Sequence, residues 1–568
     1  MAMKSQEHFL AINMGEKQIK QIPGLTQGID LFGNKEGGLY FSKEIDFDSK
    51  EGFLRSQMLP DKDESEAGLA TLNDTPKWIV KANGGLLYLL TDANEVFQKS
   101  GGSWTQENVS GNAGNGQGLV EYDDDLYYVQ NNTVGKFDGA VWTDSWQNRS
   151  NTDTKYGPTI KYIGKFFVGS GNDIDSWDGT TWTQADLVLP VQEVVRTMAV
   201  WNDFLVMGCG SGNVYFWDGT SDTYNSILEI PGNRPADALQ VFENTLFAIG
   251  GRDASIHIFN GSLFEKVAQL PDLRDNAFDL APATIWSGAV ITWQDKIVFL
   301  TKISGRKTLR TRSGVWSYTP RENRLNYEFR PSSGQMSSNL VIGALYSDEG
   351  AEELYIAYKD ANAGSDGVYI DIIDSSSASA GEGNYFVTKQ ALPAKFAETF
   401  LRRIYANITK LDASSVRKVV IGMRREDVLE LKTTLNSTTS GDTNFDLKTT
   451  NSVANVAVGD MIEIIEGPAA GDVRWVASIA TGTPNIITVT DTFTTGTIAS
   501  QTVAIVYNYQ KIGEITGDDD VTTGKLNINL PAYKAWFYVE IRHGEAGTDR
   551  EELGVSDITL DYIQRPNK

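Results

Sequence analysis

The chain reads as an all-β protein, a β-propeller of about seven four-stranded blades followed by a β-sandwich that carries an inserted small β-barrel. Three observations predict this. A strand-turn-strand unit recurs about every forty residues over the first two thirds of the sequence. The copies close on an aromatic-Asp-Gly or aromatic-Asn-Gly turn. No helical period of apolar residues intervenes, and the 568 residues include 54 Gly, 13 Trp, 22 Tyr and 24 Phe. Four strands per forty or so residues is the arithmetic of one propeller blade.

Residues 1–77 read as an N-terminal β segment able to help close the ring, and 78–392 as the ring itself. The paired strands that open a blade are Trp78–Leu90, Thr159–Val168, Met198–Met207 and Ala238–Ile249. The closing turns read Lys136-Phe-Asp-Gly-Ala-Val-Trp142, Ser176-Trp-Asp-Gly-Thr-Thr-Trp182, Phe216-Trp-Asp-Gly-Thr220 and Ile258-Phe-Asn-Gly-Ser-Leu-Phe264, with Gln98–Trp104 a looser first copy. Measured on the turn glycines, Gly102, Gly139, Gly179, Gly219 and Gly261, the spacing is 37, 40, 40 and 42 residues. Asp-Gly and Asn-Gly supply the positive φ that tight hairpins need. A lone four-stranded sheet leaves both faces wet. Packing such sheets around an axis buries them, and the aromatics fill the widening wedge.

Two looser copies complete the count. Ala289–Leu300, Gly314–Tyr318 and Leu325–Phe329 make one, and Leu340–Tyr346, Glu353–Tyr358 and Gly367–Ile373 make the other. Closing the ring needs a strand donated across its ends, for which Gly38–Ser42 and Tyr385–Thr388 are the candidates. Beyond a boundary near Pro393, residues 393–437 and 511–568 carry sandwich-like strands: Phe400–Ile408, Val416–Met423, Lys525–Leu530, Ala535–Arg542 and Ile558–Ile563. Between them, 438–510 is Thr-rich and turn-rich, with short strands at Val458–Ile465, Val473–Ile479, Asn485–Thr490 and Thr502–Tyr507, which read as a barrel set into a sandwich loop.

Composition narrows the function. Lys and Arg number 50 against 74 Asp and Glu, a formal net charge of −24, which argues against a protein that grips nucleic acid through phosphates. Hydrophobic residues at 40% and charged residues at 22% are ordinary for a globular chain. No run reaches the roughly 18 to 20 apolar residues of a membrane span. The first twenty residues lack an apolar core ahead of a cleavage site, so no secretory signal is expected.

No catalytic site, cofactor site or metal site is expected. The single cysteine, Cys209, sits in an apolar run and reads as a buried thiol, and one cysteine forms no intramolecular disulfide. His8, His257 and His543 are scattered, and His257 alternates with Ile256 and Ile258 as one position on a strand. The Trp-Asp-Gly turns resemble the Asp-box of sialidases, but that box places a residue between Asp and Gly, whereas Asp178 and Gly179 are adjacent. Arg196, Arg252, Arg274 and Arg310 have no spacing that gathers them on one rim. Asp123–Asp125 falls where other copies turn between strands, Asp518–Asp520 matches no calcium loop, and Glu44–Asp48 reads as the exposed face of a strand. No phosphate loop, Rossmann glycine pattern or nucleophile elbow is present.

Blade copies of this loose type, with neither WD40 nor kelch signatures, resemble the propellers of tailed-phage virion proteins. The opening stretch Gly24–Gly33, Gly38–Asp46 and Phe53–Arg55 resembles the openings of phage tail proteins. Val458–Gly471 with Arg474–Ile479 resembles small β modules of tail structural proteins, and the layout is similar to tail-nozzle or tail-hub proteins of short-tailed phages. The resemblance implies a structural, non-enzymatic tail component, a nozzle or tail-tip protein forming a homo-oligomeric ring. It also implies neighbours among the portal or adaptor proteins and fibres, DNA passing without specific binding, and assembly into the virion tail within the host cytoplasm. A receptor- or glycan-binding propeller of the adsorption apparatus is a second reading, and a propeller hydrolase or lyase a third.

Overall fold

The computed structural model describes residues 10–564 apart from a set of intervening stretches, the longest being 30–38, 64–73, 304–311, 375–382, 389–398, 437–443, 448–455, 492–501 and 543–553. Its described residues are almost wholly strand, turn and bend, with a single 3-10 turn at Ser287–Ala289.

Five consecutive four-stranded antiparallel sheets fill Pro76–Asn108, Gly118–Asn148, Thr159–Val188, Val195–Glu229 and Ala238–Ala268. A sixth group of four strands runs from Val290 to Phe329, and three strands of a seventh from Leu340 to Ile373. The first strands of these seven groups touch in sequence, and the seventh returns to the first, so the array closes as a propeller-like ring.

The two-residue period explains why the sheets stack. On Leu86–Thr91, Leu87 and Leu89 pack towards the seventh sheet while Tyr88 and Leu90 pack towards the second. Every junction around the ring has its own apolar cluster built this way: Tyr127 with Phe166, Met207 with Phe167, Val206 with Ala248, Phe247 with Phe299, Leu300 with Ile356. Trp104, Trp217 and Trp316 are fully buried in these wedges. The inner hairpins turn on Asp123-Asp124, Asn202-Asp203 and Glu243-Asn244, all with φ between 46° and 65°, the mirror-image turn that matches strand twist. Adjacent sheets are tied along that rim, where Tyr122 donates to the Gly164 carbonyl at 2.6 Å and Trp201 Nε1 to the Asn244 carbonyl at 2.8 Å.

The strand that completes the seventh sheet is neither of the expected segments. It is Asp61–Lys62, paired with Asp371 and Ile372. Leu39–Lys43 and Tyr385–Thr388 instead lie side by side beyond the sixth group, joining it to the C-terminal strands: Arg324–Phe329 meets Leu39–Lys43, which meets Tyr385–Thr388, which meets Trp536–Arg542. The ring's own last strand ends at Ile373, well short of residue 392. The reason lies in burial. All six residues of Arg324–Phe329 are buried, whereas Ser226–Glu229, the outer strand of the fourth sheet, is largely exposed.

Two sheets then face each other across a core that includes Leu401, Ile404, Val419, Phe537, Val539 and Leu560. One contains Gly15–Ile22, Gly554–Gln564, Thr399–Leu411 and Val521–Pro531; the other contains Trp536–Arg542 and Lys418–Arg424. Gly15–Ile22 therefore belongs to this module, whereas Asp61–Lys62 of the same N-terminal segment closes the ring. Beyond it, hydrogen bonds run around six strands without an edge: Thr502–Thr516, Glu430–Asn436, Asn444–Leu447, Asn485–Val489, Val473–Ala480, Asp460–Ile464, and back to Thr502–Thr516. Ile462, Ile464, Val476, Ile487 and Val506 fill the inside. This closed unit begins at Glu430, ahead of the expected 438, and has no clean end at 510. Thr502–Thr516 serves the small barrel first and then pairs with Lys418–Arg424 in the larger sheet.

Candidate functional site

The acidic turns are structural devices. In each, one side-chain oxygen takes the two backbone N–H groups that follow: Asp138 from Ala140 and Val141, Asp178 from Thr180 and Thr181, Asp218 from Thr220 and Ser221, Asn260 from Ser262 and Leu263. The glycines that follow have φ of 78° to 95°. The backbone bond from Val141 lowers the Asp138 carboxyl, and that from Thr181 lowers Asp178. Asp123 and Asp124 form a plain hairpin turn.

Cys209 is fully buried, and burial raises its thiol well above the usual range. His257 is a 2%-exposed position on the strand Ser255–Phe259. His8, His543, Arg252, Arg310 and Asp518–Asp520 lie outside the described residues. Arg196 is committed to Asp237 at 2.6 Å, and Arg274 lies in the short strand Arg274–Asp275.

Glu44–Asp48 is an exposed face only at its end, where Asp48 is exposed and Asp46 half-buried. Glu44 is wholly buried, with φ of 54° and an Oε1 that accepts from the Arg330 backbone N–H at 3.2 Å. Asp48 pairs with Lys296 at 2.9 Å and with Arg324. Burial raises the Asp48 carboxyl, but these two cations outweigh it and hold it below the usual range.

Where ring, joining sheet and barrel meet lies a buried polar cluster that the sequence does not announce. Glu463 accepts from Lys43 Nζ at 3.1 Å, from Arg312 and from the Tyr385 hydroxyl at 3.0 Å. Lys43 also donates to the Gly471 carbonyl at 2.9 Å, and Arg312 to the Tyr507 hydroxyl at 2.9 Å. Burial raises the Glu463 carboxyl, yet the adjoining charges of Arg312 and Lys43 prevail and hold it at about 2. Paired and hydrogen-bonded in this way, the charges fasten a segment near residue 43 to others near 312 and 463.

At the end of the ring where the first strands begin lies a cavity of about 610 Å³. Six of the seven groups contribute to its wall from in or beside the start of their first strand, among them Lys77, Gly116, Tyr156, Asp237, Trp286 and Val341. The 3-10 turn Ser287–Ala289 packs against the first strands of the first, fifth and seventh groups, and Ser287 donates to the Arg196 carbonyl of the fourth at 3.3 Å. It therefore ties together first strands from several parts of the ring.

Both carboxylates in the wall are held by fixed donors. Asp92 accepts from the Thr75 N–H at 2.7 Å, and Asp237 from Arg196 and from the Gly251 N–H at 3.1 Å. The cavity also presents Lys77, Lys155 and Lys302. Lys77 lies over the Trp286 ring at 4.9 Å, and burial lowers its ammonium pKa, offset in part by Asp92. Trp286 is fixed by donating to the Gly343 carbonyl at 2.7 Å. Among the described residues no group of three or more His, Cys, Asp or Glu could hold a metal ion. No sequence signal marks the wall, because it is assembled from ordinary residues of six groups that are scattered between residues 77 and 342.

No family model matches the chain, and no curated protein matches it. Similar solved structures include extracellular domains of putative one-component and hybrid two-component systems of B. thetaiotaomicron. They are 9% and 10% identical at TM-scores of 0.40 and 0.41, covering 55% and 76% of this chain. The chain spans 39% and 47% of their length. The Neurospora crassa Pan2 WD40 domain is 11% identical at a TM-score of 0.38, over 57% of this chain and 96% of that one. At such scores the likeness carries no function, and the ring rests on its own strand pairing.

Proposed function

We propose that this chain is a structural component of a bacteriophage tail, an oligomeric nozzle or tail-tip protein that contributes to tail assembly and to the conduit for DNA ejection. One observation carries the reading: the continuity of the frame. Modules within a chain ordinarily meet across modest polar interfaces and move against each other. Here the sixth sheet runs on through Leu39–Lys43 and Tyr385–Thr388 into the sandwich, and the Lys43–Glu463–Arg312 cluster fastens the small barrel to the same place. Such a frame suits a part that transmits force between neighbours in an assembly.

The resemblance of the N-terminal stretch and of Val458–Gly471 to tail proteins supports the same reading, as does a rigid β architecture with one buried cysteine. A net charge of −24 would let DNA pass without adhering. The partners would be further copies of this chain, portal or adaptor proteins and fibres, in a virion tail assembled in the host cytoplasm. Negative-stain microscopy and sedimentation of the purified chain test the proposal. Rings or short tubes are the expected result; single particles at every concentration up to the millimolar range would overturn it.

A further inference from the structure

The axial cavity has the composition of a binding site for a small acidic, hydroxyl-rich ligand, and we propose that it takes a carboxylated sugar of one or two rings. The proposal does not depend on tail assembly, because the whole cavity lies within one chain.

Three features lead there. The first is charge. Of the five charged side chains in the wall, Asp237 is paired with Arg196 and also accepts a backbone N–H, and Asp92 accepts one backbone N–H. That leaves Lys77, Lys155 and Lys302 as the cations presented to the space. Among the described residues, neither Lys77 nor Lys302 makes an ion pair. Lys77 feels the charge of Asp92 without a direct ion pair, and a half-buried ammonium that has lost part of its water without a carboxylate in contact is ready to receive an anion.

The second is size. About 610 Å³ lies in the range of small-molecule sites and far exceeds the room needed by a bare phosphate or sulfate. The third is the rest of the wall. Asn115, Tyr156 and Thr284 offer amide and hydroxyl groups, while Ile285, Trp286 and Ile342 offer apolar surface. A sugar ring presents both hydroxyls and apolar C–H faces, so it uses both kinds of wall where an inorganic anion uses neither.

The test is calorimetric titration of the full chain with glucuronate and digalacturonate, with glucose and inorganic phosphate as controls. Saturable binding of at least one acidic sugar is expected, weakened about tenfold or more by Lys302→Gln, the loss of one charge-assisted contact. Lys155→Gln, at the exposed mouth, serves as a second variant, and unchanged melting confirms that both variants are folded. Glucose should bind at least tenfold more weakly than glucuronate. The proposal is overturned if neither acidic sugar binds, if both variants bind them as wild type does, or if phosphate binds as tightly as the sugars.

Discussion

Replacing Glu463 by Gln tests whether the cluster at the junction holds the modules together. The substitution keeps shape and removes the charge facing Lys43 and Arg312, whose side chains are 0% and 1% exposed. Removing one partner from a buried pair leaves the other charge uncompensated, at a cost of about 3–5 kcal/mol. Titration gives a similar figure. Holding the carboxyl at about 2 against an ordinary 4.5 corresponds to about 3 kcal/mol. Because the folded pKa is the lower one, this stability is present in full above about pH 4.5 and is lost as the pH falls towards 2. Urea unfolding of the full chain, followed by tryptophan fluorescence, should show the transition that includes Trp475 moved down by about 1 M or more at pH 7. The difference between wild type and variant should shrink as the pH is lowered from 5 to 3. A variant that unfolds within about 0.5 kcal/mol of wild type at pH 7 would refute the reasoning.

Three further outcomes are expected. Gly135→Ala puts a Cβ into the ring of Tyr128, its cross-strand partner, whose hydroxyl is anchored on Asp144 at 2.6 Å. It should cost about 1–3 kcal/mol in a denaturant melt, and a neutral effect would mean that the second sheet repacks freely. Asp371 is buried beside Ser332, and burial raises its carboxyl to about 7 although the Ser332 hydroxyl and N–H pull it down. The folded form thus holds its proton more tightly, so the contribution of this group to stability falls as the pH rises from about 4 to about 7, by up to about 4 kcal/mol. Asp371→Asn should flatten that slope in urea midpoints taken at pH 5 and pH 8, and an unchanged slope would show that the group does not titrate there. Cys209 should resist a thiol reagent in the native protein and react once denatured, whereas rapid native labelling would contradict its burial.

Much of the ring is legible because its information is local. A strand that lends alternate residues to two neighbours must be apolar on both faces, and runs such as Leu86–Leu90 and Phe204–Cys209 are. A hairpin that needs φ above zero favours Gly, Asn or Asp there, and the closing turns place Gly139, Gly179, Gly219 and Gly261 at it. Several of the sandwich and barrel strands were also visible, but Gly15–Ile22, Glu430–Asn436 and Asn444–Leu447 were not, and the strand from Thr502 runs on to Thr516. One clue to the joining sheet was present but ambiguous. Leu325, Tyr327 and Phe329 make the outer strand of the sixth group more apolar than an edge facing water requires, and their pairing partner is about 280 residues away.

The sequence by itself determined an all-β chain, a forty-residue rhythm and the turns that punctuate it, because alternation and backbone sign are written within a few neighbouring residues. Tertiary structure alone decided that Asp61–Lys62 completes the seventh sheet and that Glu44 is buried. It also decided that Lys43, Arg312 and Glu463 meet, and that three lysines from separate blades face one cavity. Two polar residues have no pattern of their own. Their pairing follows from closing a ring whose ends would otherwise leave unpaired N–H and C=O groups, and a charge is tolerated in the interior only where a distant partner has been brought beside it.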